Sequence, residues 1–442
     1  MFHRSEWSST CLSTRQGDRE QRRSTEPVRS NTLERTEQGS TDQPRSRAGE
    51  KLVTRTRAVT TDEDQRVTFI ELFFDLVFVY ALTQLVALLH HDLSWAGAAR
   101  AVLVFWLVWW AWTQFTWALN SADTTHPGVE LSVLVATAVA FLMAVVLPDA
   151  YAGGGAWFAI TYLIVRVLGL AVYGRVAWDD PAKRAAVRRF SLLSVCGLLA
   201  VAAGGVAPDD ARVWWWAAAF GFDLFAAVMA GSAEGWGIRP DHFGERHGLF
   251  VIIALGESLI VAAAGLSGAE RTLHTVAVGV LAVAGTCGLW WTYFSRAKPA
   301  IDRAVAERAD AARTILARDV YSVLHFPVVF GIVLYAVAIE EAVAHPDVPL
   351  SAGSGIALAG GITLYLGGTA AALWRAGHRA LIPRLVILGT VLAGLWATNE
   401  AGAPWSLVIA VCGVTAVAAV EQLAQVTRTR GPRHHRRPWS SW

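Results

Sequence analysis

Charged side chains are scarce in this chain. Asp, Glu, Lys and Arg make up 17% of its 442 residues, against roughly 25% in an ordinary soluble domain. Cysteine is scarcer still. Of four, Cys11 lies in a polar segment, and Cys196, Cys287 and Cys412 lie inside apolar runs. None forms a CxxC or a Cys/His cluster, which argues against a disulfide framework or a zinc site. His242, Glu245 and His247 fall close together, but their spacing matches no metal motif. The nucleotide and metalloprotease signatures GxxxxGK[ST], HExxH and GxGxxG are all missing. No cofactor, metal or nucleic-acid partner is therefore expected. With no large polar domain to host ATP, any transport would draw on an ion gradient.

What fills the chain instead is apolar: 54% hydrophobic residues, with 20 Trp, many near the ends of apolar runs. Trp there suits an amphipathic ring at a membrane interface. The expected fold is an all-α, polytopic transmembrane helix bundle. A span needs about 20 mostly apolar residues. Twelve runs qualify, near 68–89, 99–119, 130–148, 156–177, 189–206, 212–231, 248–266, 273–295, 316–340, 353–374, 380–398 and 404–424, the fifth and eleventh being short. Turn chemistry separates them, as in Pro148-Asp-Ala-Tyr-Ala-Gly-Gly-Gly155 and His345-Pro-Asp-Val-Pro349.

Residues 1–60 are rich in Ser, Thr, Arg, Gln and Glu and almost lack aliphatic side chains. They read as a disordered basic tail, either cytoplasmic or the product of an overlong start. A six-helix half would follow over 61–247, a second over 248–426, and a basic tail over 427–442. Lys and Arg concentrate in loops 175–189, 231–247, 296–313 and 375–384, whereas the opposite loops carry only Arg100, Arg212 and Arg271. The positive-inside rule then puts both termini in the cytoplasm, with the spans in the inner (plasma) membrane. A repeat is hinted at. Trp109-Trp110-Ala-Trp-Thr-Gln-Phe115 in the second span returns as Trp290-Trp291-Thr-Tyr-Phe294 in the eighth, 181 residues on. The span before each holds an acid, Asp75 or Glu257, so a parallel six-plus-six repeat would relate the halves.

Ionisable groups inside a bilayer cost roughly 2.5–3.5 kcal/mol each, so each one needs a partner, a cavity or a role. Glu71 and Asp75 stand four apart on one helix face. They could share a proton or hold a cation. Alternatively, Glu71 caps its helix and Asp75 pairs with a basic residue elsewhere. Gln84 follows on the same span. Glu257 sits deep in the seventh span beside Gly256, which would let another backbone approach. Its rival role is an ion pair with Arg166, read as the one basic residue deep in a span. Asp223 is a deep acid of the sixth span. His325 stands just before Pro327, whose missing N–H would free a carbonyl near residue 323 and bend the helix. Glu245 and Arg246 are read at the cytoplasmic mouth. The glycine pairs Gly360-Gly361 and Gly367-Gly368 suggest close helix packing.

Two of these segments are long enough to be recognised. Glu71-Leu-Phe-Phe-Asp-Leu-Val-Phe-Val79 with Thr83-Gln84, and Glu245-Arg-His-Gly-Leu-Phe-Val-Ile-Ile-Ala-Leu-Gly-Glu257, resemble the hallmark motifs of the bacterial low temperature requirement A (LtrA) family. His325-Phe-Pro-Val-Val-Phe-Gly-Ile332 and the Trp-Trp segments also fit, and the likeness spans about residues 60–425. Where that family usually has Phe or Tyr, this chain has His247. The resemblance implies a polytopic membrane protein and marks Glu71, Asp75, Glu245, Arg246 and Glu257. It names no substrate.

Two functions remain open on these residues. One is a proton- or cation-coupled permease for an unidentified small solute or ion, with the lipid bilayer as its other partner. The other is a non-transporting scaffold or cold-stress factor, or an embedded enzyme acting on lipid.

Overall fold

The computed structural model describes residues 66–231, 236–270, 272–378 and 381–430. The N-terminal tail and residues 431–442 lie outside the described residues. Helices account for the ordered elements, and no strand occurs among the described residues. That is the expected outcome in lipid, where each backbone N–H and C=O must find a partner within its own segment.

The first half runs α1 (Phe69–His91), α2 (Trp95–Leu119), α3 (Pro127–Val145), α4 (Gly155–Val176), α5 (Pro181–Val206) and α6 (Asp209–Gly231). The second begins with α7 (Pro240–Gly268) and α8 (Leu273–Thr292), which continues through a π-helical turn at Tyr293–Ala297 into α9 (Lys298–Ala306). Next, α10 (Asp310–Ala317) passes through a π-helical turn at Arg318–Val323 into α11 (His325–Ala344). The chain ends with α12 (Ala352–Arg375), α13 (Leu381–Ala397) and α14 (Ala403–Arg430).

Local chemistry sets the starts. Ser94, Asp180, Thr272 and Ser351 each accept a hydrogen bond from the first turn of the helix they precede. Among the described residues, eleven helical rods are long and apolar enough to cross a membrane. The eleventh apolar run, expected to be short, forms the shorter helix Ile382–Ala397. The fifth span, expected to be short, is instead 26 residues long, because Asp180 and Pro181 start it well before the apolar run. Likewise α7 takes in Asp241–His247, which the sequence reads as a loop.

Pairings fix the directions. Glu71 near the start of α1 meets Arg246 near the start of α7, and Thr83 further along α1 meets Glu257 further along α7, so the two run parallel. His90 at the other end of α1 meets Glu340 at the far end of α11. The charged loops sort accordingly. Lys183, Arg246, Lys298, Arg318 and Arg375 gather at the end where α1 starts, and Arg100 and Arg212 lie at the opposite end.

In the first half α1 packs on α2 and α3, α3 on α4, α4 on α5, α5 on α6, and α6 on α2. In the second, α7 packs on α8 and α11, α11 on α12, α12 on α13, α13 on α14, and α14 on α8. The neighbour scheme recurs six spans on. The scheme is not exact: α4 packs along α2, whereas α12 meets the rod of α8 near its end, where Tyr365 donates to the Leu289 carbonyl, and through Tyr293–Ala306; and α11 packs on α8 more than α3 does on α2. Between the halves, α1 contacts α7 and α11, and α2 contacts α11.

Burial identifies the centre. The apolar window of α2 is 83% buried and that of Asp310–Ala344 is 78% buried, while most other rods leave half or more of theirs uncovered, as lipid contact requires. The Trp residues divide the same way. Trp95, Trp157, Trp178, Trp214, Trp374, Trp396 and Trp405 are exposed near helix ends. Trp106, Trp109 and Trp112 of α2 are wholly buried, so these rings are core rather than interface.

Glycines bring two rods together. A Cβ on Gly331 would stand 2.7 Å from the carbonyl oxygen of Gly361, and one on Gly361 would stand 2.8 Å from that of Gly331. Here α11 and α12 cross backbone to backbone. Gly256 does not work this way, since a Cβ there meets open space, and the same holds at Gly367.

Candidate functional site: buried acids between α1, α7 and α11

Glu71 and Asp75 stack on one face of α1, and what lies between them is Arg246. Its guanidinium donates to Glu71 Oε2 at 3.1 Å and to Asp75 Oδ1, and it lies over the ring of Trp112. All three charged groups are fully buried. Glu71 does two jobs: its Oε1 also accepts from Thr68 N–H at 3.2 Å and Thr68 Oγ1 at 2.9 Å, a capping box that starts α1. His242 Nε2 lies 3.2 Å from the same oxygen, and Trp112 Nε1 donates to Asp75 Oδ1 at 2.7 Å. The acids thus share the protein's own Arg246 as their cation. Arg246, read at a solvent-facing mouth, is the centre of the cluster. Glu245 stays partly buried beside it and accepts from Val67 N–H at 3.4 Å.

An aromatic layer backs this cluster, and both π-helical turns border it. A π turn widens the helix and leaves carbonyls without their usual partners, and such turns are frequent at functional sites. Trp109 Nε1 donates to the carbonyl of Ser322 at 2.8 Å, and Trp117 Nε1 donates to Ser322 Oγ at 2.9 Å. His325 follows the second turn. Its Nδ1–H donates to the Val320 carbonyl at 2.6 Å, so Nε2 accepts from Tyr293 O–H of the first turn at 2.7 Å. The ring is held at both nitrogens. His247 stands among Trp112, Phe243, Tyr321 and His325 with ring centroids 4.6–5.7 Å apart. It occupies a slot an aromatic ring would fill. Beyond it Tyr321 and Lys298 both bond Asp302, Lys298 at 2.5 Å.

Glu257 is different. It is 1% exposed, and Thr83 Oγ1 donates to its Oε2 at 2.8 Å. Its Oε1 has no hydrogen-bond partner, nor has the hydroxyl of the adjacent buried Ser258. No basic side chain reaches it among the described residues. In particular Arg166 does not pair with it. Further along the same interface, Glu340 lies close enough for the two charges to interact, and it bonds His90 Nε2 at 2.5 Å.

Arg166 of α4 is instead bound to Asp223 of α6 at 3.3 Å, with Tyr162 Oη accepting at 3.0 Å. The indoles of Trp106 and Trp110 lie near the same carboxylate. Arg166 is not alone as a deep cation, since Arg246 and Arg384 are equally buried. Arg384 of α13 bonds Glu421 of α14 at 2.6 Å and Thr369 of α12. This clamp was invisible in sequence because both residues sit at the ends of their apolar runs. Gln84 is partly buried and makes no side-chain hydrogen bond among the described residues. Trp112, Tyr293 and Thr83 fall within motifs visible in the sequence, and His242 reads there only as a candidate metal ligand, but none of them is assigned to this site by sequence alone.

Comparisons with known proteins place the chain in a family. The family model described as bacterial low temperature requirement A protein (LtrA) matches residues 66–420. An uncharacterized protein of Rhizobium meliloti (strain 1021) is 31% identical over 324 residues, covering 71% of this chain and 78% of that one. The matched stretch takes in Glu71, Asp75, Arg166, Asp223, Arg246, Glu257 and Arg384, and ends one residue before Glu421. This integral membrane protein therefore belongs to the bacterial low temperature requirement A family.

Proposed function

We propose that the chain is a proton- or cation-coupled secondary transporter in a bacterial inner membrane, with both termini cytoplasmic, and that Glu257 loads and unloads the coupling ion. The observation that carries this is the contrast among its deep acids. Glu71, Asp75 and Asp223 each have an Arg partner, whereas Glu257 has one hydroxyl. A buried carboxylate left without a cation is costly while charged. A proton or a small cation arriving from either side removes that cost, which is what a coupling site requires. The α1–α7–α11 interface supports the same reading. His90 and Glu340 lead from Glu257 toward one surface, and the Arg246 cluster closes the other. The recurring neighbour scheme also fits two parallel repeats that could rock against each other about this interface.

The test uses proteoliposomes of the full chain loaded with a pH-sensitive dye. Imposed sodium, potassium or proton gradients are combined with a library of small metabolites. The expected result is solute-dependent proton or cation movement in the wild type, lost in Glu257→Gln while the protein remains monodisperse. Undiminished movement in Glu257→Gln refutes the role of Glu257. A second reading, a membrane scaffold that transports nothing, is favoured by the dry Arg-clamped acids. It prevails if the wild type moves nothing under any gradient.

A further inference from the structure

At the end of the bundle where α1 starts, most cations are answered. Arg246 has Glu71 and Asp75, Lys298 has Asp302, and Arg318 and Arg375 share Asp319. The first turns of α5 break this pattern. Arg184, Arg188 and Arg189 are exposed there, and none meets a carboxylate among the described residues. Arg184 donates to the Trp178 carbonyl at 2.5 Å and lies over the ring of the same exposed Trp, 5.9 Å from its centroid. The neighbouring acids do not serve these cations. Asp180 caps α5, accepting from Ala182 N–H at 2.9 Å and Lys183 N–H at 3.2 Å, and Asp179 pairs with none of the three.

Spacing sets two of the three on a stripe that faces lipid. Arg184, Arg188, Leu192, Val195 and Leu199 recur at helical steps, so they share one face of α5. Leu192, Val195 and Leu199 are 63%, 44% and 64% exposed, which in an integral membrane protein means contact with acyl chains. The opposite face, with Phe190, Gly197 and Val201, is buried where α5 packs on α4 and α6. From Arg188 to the exposed Val206 at the far end of α5 is about 27 Å, close to the roughly 30 Å of a hydrocarbon core. The guanidiniums therefore stand at headgroup depth, where a long Arg side chain reaches phosphate while its stem stays on apolar surface. They border an open groove of about 560 Å³ that Leu192 and Leu193 also line.

Three cations without a carboxylate, continuous with a strip of exposed aliphatic side chains, describe an amphiphile with an anionic head. We infer that this face of α5 binds an anionic phospholipid: its phosphate bridges Arg184 and Arg188, and an acyl chain lies along Leu192, Val195 and Leu199. Net charge sets the selectivity. A zwitterionic headgroup carries its own cation, which the guanidiniums repel, whereas phosphatidylglycerol carries none. The site lies apart from Glu257 and does not depend on transport.

Native mass spectrometry of the full chain, released from nanodiscs of equal parts phosphatidylglycerol and phosphatidylcholine with identical acyl chains, tests it. Phosphatidylglycerol should stay bound under activation that strips phosphatidylcholine. Arg184→Gln and Arg188→Gln should each lower that preference by about fivefold, the worth of one basic side chain at an anionic surface. Both side chains are exposed and bond no acid, so these variants should remain monodisperse in gel filtration. Arg303→Gln and Arg308→Gln remove the same charge from exposed positions at the same end, off the stripe, and should leave the preference unchanged. The proposal is overturned by a wild type that shows no preference, by an undiminished preference in Arg184→Gln and Arg188→Gln, or by an equal loss in the Arg303 and Arg308 variants. Displacement of the lipid by millimolar inorganic phosphate also overturns it, since the groove would then be a site for a free anion.

Discussion

Replacing Arg246 with Met keeps a long side chain against Trp112 but removes the cation that two buried carboxylates share. Breaking a buried pair from one side costs about 3–5 kcal/mol, because the abandoned charge stays desolvated. Arg246 serves two acids at once, both fully buried. The remaining donors, His242 and Thr68 on Glu71 and Trp112 on Asp75, stay in place and limit the damage. The expected loss is therefore about 3–5 kcal/mol rather than twice that. It should be read from denaturant unfolding in mixed micelles, followed by helical circular dichroism. Replacing a whole buried ionic group by neutral residues of similar size is often neutral or stabilising. The triple variant Glu71→Gln/Asp75→Asn/Arg246→Met should thus recover most of the loss. If Arg246→Met costs under about 1 kcal/mol, as an exposed ion pair would, the cluster is not the anchor of α1 on α7. A triple variant no better than the single one would refute the charge argument itself.

Glu257→Gln should behave in the opposite sense to Arg246→Met, leaving stability unchanged or raised in the same titration, since a neutral amide relieves an unpaired buried carboxyl; a marked loss would expose a hidden partner. Gly331→Ala and Gly361→Ala should each cost about 1–3 kcal/mol, because each new methyl meets backbone that cannot rotate away. Gly256→Ala should be neutral or slightly stabilising by helix propensity, and parallel thermal melts of the three variants check both statements. Arg384→Met should loosen α13 from α12 and α14, seen as faster alkylation of a cysteine placed at Val391, which is buried on α13.

The sequence by itself determined the helical class, the run of apolar spans and the sidedness of the charge. These follow from local quantities: run length against bilayer thickness, capping residues at the breaks, and Lys and Arg counted loop by loop. It also singled out the acids, since a carboxylate in an apolar run is conspicuous without any fold. Partner choice was out of its reach. Arg246 lies next to a span boundary in the chain yet fully buried in the protein, because Pro240 starts α7 far enough upstream to carry it inside. Asp223 took Arg166, and Glu257 was left with Thr83, through the packing of α4 on its neighbours and of α7 against α1. That the Trp cluster of α2 lies in the core was out of reach too, because composition cannot tell a lipid-facing rod from a central one. Only the arrangement of all the rods decides which is surrounded, and so which buried acids meet an Arg and that Glu257 does not.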